Sequence, residues 1–128
     1  MEKQVRWETP FSDIPFLGMW ELVDDGELHI QVGEGLPEST IKKAIKWMVE
    51  FEKYATYRNS NVDFYLITNK IDTGNSINVE NSNWIEQLKS EHVLFSDNHK
   101  TPVHFIFSTG DDILEVISCV EPKITELK

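Results

Sequence analysis

The chain has 128 residues, 40% of them hydrophobic and 27% charged, enough for one compact domain spanning 1–128. Its 22 acids against 12 bases leave a net charge of −10, which opposes binding to nucleic acid or to an anionic membrane. One cysteine, Cys119, excludes an internal disulfide, and no apolar run approaches the ~20 residues of a membrane helix.

The first residues, MEKQVRWETP, hold no apolar stretch of signal-peptide type, so a cytoplasmic protein is expected. KQVRWE reads as a short strand, and TPFSDIPFLG as an irregular segment packed on the core. MWEL and ELHIQV are the arms of a hairpin. A two-residue loop would set Asp24 against Glu27 and bring Glu21 to the apolar side. A loop of Asp24, Asp25 and Gly26 instead sets Leu22 against Leu28, Trp20 against Ile30 and Glu21 against His29. The DDG stretch is therefore turn chemistry, and it lacks the alternating oxygen ligands of a calcium loop.

VGEGLPEST carries Gly33 and Gly35 between a strand and a helix, without the pattern of a P-loop or a dinucleotide fold. A long helix is expected over about 38–57. Ile41, Ala44, Ile45, Met48, Phe51 and Ala55 share one face, widened by Trp47 and Tyr54. Glu52 breaks that stripe. Either the core ends there, or Glu52 is a buried carboxylate paired to a histidine such as His29 or His104.

VDFYLIT reads as a strand apolar on both faces, and residues 69–83, dense in Asn, Ser, Gly and Thr, as a loop. A short helix is expected over about 80–91, with Trp84, Ile85 and Leu88 inward. HVLFS reads as a further strand. PVHFIFS and the run from Ile113 to Val120, joined by a turn at STGDD, read as two central strands, and PKITELK as a tail. The fold class expected is α+β: a mainly antiparallel sheet of about five to seven strands, with one long and one short helix packed on it.

Catalytic signals are missing. His92, His99 and His104 with Asp97 match no zinc-ligand spacing, so no metal or cofactor is expected. Ser96 stands near Asp97 and His99 in sequence, but no serine lies in a nucleophile elbow. Cys119 sits in an apolar run without an activator. No enzyme is expected. The remaining signal is charge. Between Arg6 and Lys42 there are eight acids and no base, and Asp111, Asp112, Glu115 and Glu121 recur between Lys100 and Lys123.

In size, acidity and missing catalytic motif the chain resembles the small single-domain immunity proteins that bacteria keep in the cytosol against toxins. No specific motif carries that resemblance, and it transfers no residue roles. It implies an interaction protein that masks a basic partner, a toxin in that setting. Glu21, Asp24, Asp25, Glu27, Glu34, Asp111 and Asp112 are the expected partner-binding residues. The alternatives are a ligand-binding domain or enzyme using Glu52 and a histidine between helix and sheet, and a structural subunit of a larger assembly.

Overall fold

The computed structural model describes residues 2–35, 45–68, 71, 74–91 and 101–127. Its core begins from alternation. In KWMVEF, Trp47, Val49 and Phe51 are buried while Lys46, Met48 and Glu50 turn outward, the period of a strand. This segment is β4 (Lys46–Phe51), and it turns at Glu52 and Lys53 into β5 (Tyr54–Asn61).

The expected helix over 38–57 is thereby corrected. Residues 36–44 lie outside the described residues, and the rest is a hairpin. The physical reason is that a short run rich in aromatic and β-branched residues satisfies both periods, and pairing with neighbours decides. Val49, unused by the helical stripe, pairs with Ile30 and Ile124 and is fully buried. Glu52, which broke the stripe, is exposed at the turn.

The expected α+β arrangement gives way to two antiparallel sheets. The four-stranded sheet runs in the order β2 (Leu17–Asp24), β3 (Leu28–Glu34), β4, β9 (Lys123–Leu127). The five-stranded sheet runs β1 (Lys3–Arg6), β6 (Ser76–Glu80), β7 (Val103–Ser108), β8 (Asp112–Ser118), β5. PKITELK, expected as a tail, supplies β9 because it pairs with β4. β6 lies inside the expected Asn-rich loop, where Ile77 and Val79 alternate inward. VDFYLIT is a helix, α1 (Val62–Thr68), not a strand. The Asn61 side chain accepts from the Asp63 amide at 3.0 Å, which favours a helical start over a strand. The expected short helix forms as α2 (Asn83–Ser90), capped by Ser82. HVLFS lies outside the described residues.

The sheets pack face to face. Leu28, Ile30, Val32, Trp47, Val49 and Phe51 meet Phe105, Phe107, Leu114 and Val116, with Phe11 inserted from the first irregular segment. Phe51 and Phe105 meet edge to face at 5.3 Å between ring centres. The other face of the five-stranded sheet carries a second cluster, Ile77, Val79, Ile106 and Ile113 with Tyr65 of α1. β7 and β8 are therefore central and buried on both faces, as their sequences imply.

The first hairpin keeps Leu22, Leu28 and Ile30 facing inward, but neither its expected register nor the expected inward Trp20, whose place on the core is taken by Met19. Asp24 pairs with Leu28, Val23 with His29, Leu22 with Ile30 and Glu21 with Gln31, so the loop is Asp25, Gly26 and Glu27. A bulge at Trp20 absorbs one residue. Gly26 takes φ +105°, a region glycine enters without strain. Asp24 and Asp25 carboxylates accept from the Gly26 and Glu27 amides, at 3.1 and 3.2 Å. Because the relative slip is two residues, one full period of the strand, Leu22 stays opposite an inward residue.

Candidate functional site

The seven acids expected to bind a partner divide between the two ends of the sandwich. Glu34 pairs with Leu17 at the start of β2, and the Gly110 amide in the β7–β8 turn donates to the Leu17 carbonyl at 2.9 Å. Glu34, Asp111 and Asp112 thus belong to that end. Asp24, Asp25 and Glu27 close β2 at its other end, seven residues on, roughly 23 Å away at about 3.3 Å per residue. Glu21 stands between, on the outer face. Asp111 and Asp112 also serve the fold: the Asp111 carbonyl accepts from the Val62 amide, and the Asp112 amide donates to Thr109.

What gathers at the Asp24 end is an acid ring around His29. The imidazole contacts Glu50 at 2.9 Å through Nδ1, and Asp25 at 3.1 Å and Glu27 at 3.7 Å through Nε2. Burial works to lower the His29 pKa, but the hydrogen bonds to Asp25 and Glu50 outweigh it, and the value rises above the ordinary one. The Asp25 carboxyl is held below its usual range by the Glu27 amide and by His29, against some burial. Asp24 is engaged by the Tyr54 hydroxyl, whose pKa is pushed up to about 12 by that carboxylate. Glu50, absent from the expected set, joins the ring because β4 runs beside β3 with Glu50 opposite His29. A helix over 38–57 could not have placed it there.

This ring borders the outer face of the four-stranded sheet. A shallow groove of about 260 Å³ is lined by Glu21, Val23, Asp25, His29, Gln31 and Met48. β2 and β3 carry no Lys or Arg. Lys46 on the same face lies over the Trp20 ring at 4.0 Å, and Lys123 pairs opposite Glu50 from the edge strand.

A second constellation sits on the opposite side of the molecule, where the helices cover the five-stranded sheet. Arg58 on β5 pairs across from Glu115 on β8, and its Nε and Nη2 donate to the carboxylate at 2.5 and 3.1 Å. The guanidinium lies on the Trp84 ring of α2 at 4.0 Å. His104 on β7 contacts Glu115 through Nε2 at 2.9 Å and Ser82 through Nδ1 at 2.7 Å. Burial drives the Glu115 pKa up, but the bonds from His104 and Arg58 prevail and hold it below the usual carboxylate value. The cluster floors a polar cleft of about 440 Å³ whose walls include Glu2, Tyr65, Asn83 and Gln87.

The expected pairing of Glu52 with a histidine does not occur. Glu52 is exposed, while His29 pairs with Glu50 and His104 with Glu115. Alternation was the available signal: in DILEVIS Glu115 stands between Ile113 and Ile117 on one face, and in VHFIFS His104 shares its face with Ile106. His92, Ser96, Asp97 and His99 lie outside the described residues. Among the described residues, no group of three or more His, Cys, Asp or Glu is arranged to hold a metal ion, and no helix is long and apolar enough to cross a membrane.

Among the described residues, fold and sites together define a β-sandwich with two short helices over one outer face. No protein-family model, curated protein or solved structure matches the chain.

Proposed function

We propose that this protein is a binding domain that masks a basic protein partner in the cytosol, in the manner of an immunity protein against a toxin. The observation that carries the reading is the open outer face of β2 and β3, where Asp25, Glu27 and Glu50 surround His29 beside the apolar Val23 and Met48. Acids at the rim steer a cationic partner into contact, and the apolar strip between them supplies area that dehydrates on docking. The binding set is Glu21, Asp25, Glu27 and Glu50. Asp24 supports the turn, and Glu34, Asp111 and Asp112 lie too far away to share one small contact.

Affinity capture from the native lysate tests this reading, with wild-type bait and with a bait carrying Asp25→Lys, Glu27→Lys and Glu50→Lys. One basic protein held by the wild type, released progressively by salt and absent from the charge-reversed bait, supports it. Equal retention by the two folded baits removes this face from consideration.

A further inference from the structure

We propose that Ser82, His104 and Glu115 form a nucleophile, base and carboxylate set able to transfer an acyl group from an activated carboxylic ester to water. The site lies on the helix-covered face, away from the proposed docking face, and does not depend on it.

The directions of the hydrogen bonds follow from the chemistry of the groups. Ionised Glu115 only accepts, so the His104 Nε2 at 2.9 Å from it carries the proton. In the neutral ring Nδ1 is then an acceptor, and the Ser82 hydroxyl at 2.7 Å donates to it. The lone pairs of Ser82 Oγ meanwhile receive the Ile85 amide at 3.2 Å. The result is a hydroxyl polarised toward an imidazole that a carboxylate orients, which is the arrangement an oxygen nucleophile needs.

Three neighbouring elements build it. β6 ends in a sharp turn at Asn81, φ +55°, which delivers Ser82 to the start of α2. His104 pairs with Val79 from β7, and Glu115 with Ile106 from β8. The amide of Asn83, the residue after the nucleophile, donates to the Glu2 carboxylate at 2.8 Å. That N–H at a helix start already holds an anionic oxygen beside Ser82, where an oxyanion would need a donor. Ser82 itself is 4% exposed and borders a groove of about 550 Å³ with Thr101, Pro102 and Lys89, while Glu2, Asn83 and His104 line the neighbouring cleft of about 440 Å³.

A serine that merely caps α2 needs no imidazole behind it. Burying His104 and Glu115 costs desolvation that apolar residues of similar volume would avoid. In the reaction, Ser82 Oγ bonds to the acyl carbon as its proton passes to His104 Nδ1. The carbonyl oxygen becomes an oxyanion on the Asn83 amide, displacing Glu2. Collapse expels the alcohol, which leaves with the proton from Nδ1. Water, deprotonated by the same nitrogen, then attacks the acyl-serine; Ser82 Oγ leaves with the proton returned from Nδ1, and the carboxylic acid departs. Glu115 is a positioning residue. Arg58 also binds it and draws off part of its support for an imidazolium, so turnover is slow and covalent labelling is the sensitive readout.

The full-length protein is treated with a fluorophosphonate probe and the adduct located by peptide mass spectrometry. One adduct on Ser82 is expected, slowed by about 100-fold or more in His104→Gln and accelerated in Glu2→Ala. Glu115→Gln slows the labelling of Ser82 and Glu115→Asp recovers part of the rate, whereas a structural role alone would change only the folded fraction. If His104→Gln does not fold, the wild-type labelling position and the Glu2→Ala rate decide. Absence of a Ser82 adduct on both folded wild-type and Glu2→Ala protein, or adducts scattered over other serines and tyrosines, overturns the proposal.

Discussion

Arg58 and Glu115 face each other across β5 and β8, the Glu115 side chain 2% exposed and the Arg58 side chain 48%. The pair is asymmetric: the buried member depends on the exposed one. Arg58→Ala leaves Glu115 with His104 alone in a largely dehydrated site. Breaking a fully buried pair costs about 3–5 kcal/mol, and water reaching the vacated Arg58 position lowers this to about 2–3 kcal/mol. Urea unfolding of the variant measures it. Arg58→Lys recovers little, since an ammonium cannot make the two-pronged contact or stack on Trp84.

The same pair contributes to stability in acid. Glu115 has a folded pKa below its unfolded value, so its contribution is complete above the unfolded carboxylate pKa, about 4.3. That contribution is lost as pH falls through the lower folded value. Removing Arg58 raises the folded pKa and shortens this window. The acid-unfolding midpoint of Arg58→Ala, followed by tryptophan fluorescence, is therefore expected at higher pH than that of the wild type.

His29 acts in the opposite direction. Its folded pKa is raised, so its contribution is complete below the unfolded value, about 6.5, and is lost as pH rises through the folded value. NMR titration of the imidazole is expected to give a midpoint above 6.5. Glu50→Gln should lower that midpoint by removing the Nδ1 partner, and a midpoint unmoved by this change would separate Glu50 from the ring.

The β4–β5 hairpin yields a contrast between adjacent residues. Phe51 is fully enclosed against Phe105 and Phe107, so Phe51→Ala should cost about 3–5 kcal/mol. Glu52→Ala, at the exposed turn, should stay within about 0.5 kcal/mol. A helix with Glu52 in its apolar face would give the second change a large effect, so chemical denaturation of the two variants distinguishes the structures.

Gly33 provides a packing test. A Cβ there would lie 3.0 Å from the Ile45 carbonyl oxygen and 3.1 Å from the Trp20 indole nitrogen. Gly33→Ala should destabilise by about 1–3 kcal/mol, because the carbonyl belongs to the backbone beside β4 and cannot swing aside. Thermal unfolding measures the loss.

Features that rest on short-range chemistry are legible along the chain. The first hairpin, α2 near 80–91 and the central β7–β8 pair are legible because turn residues, the helical spacing of Trp84, Ile85 and Leu88, and short runs apolar on both faces act over a few residues. So is the acidic character. Pairing across the chain decided the rest. KWMVEFEKY fits a helix or a strand on periodicity alone, and the ladders to β3 and β9 choose the strand. VDFYLIT is apolar on every side, and its place under Asp111, beyond the end of β5, makes it a helix. The candidate sites lay furthest from view. His29 meets Glu50 across 21 positions, and Arg58 meets Glu115 across 57. Such contacts exist only after the sheets have set which strands are neighbours, because a side chain's partners are fixed by register between strands and not by distance along the chain.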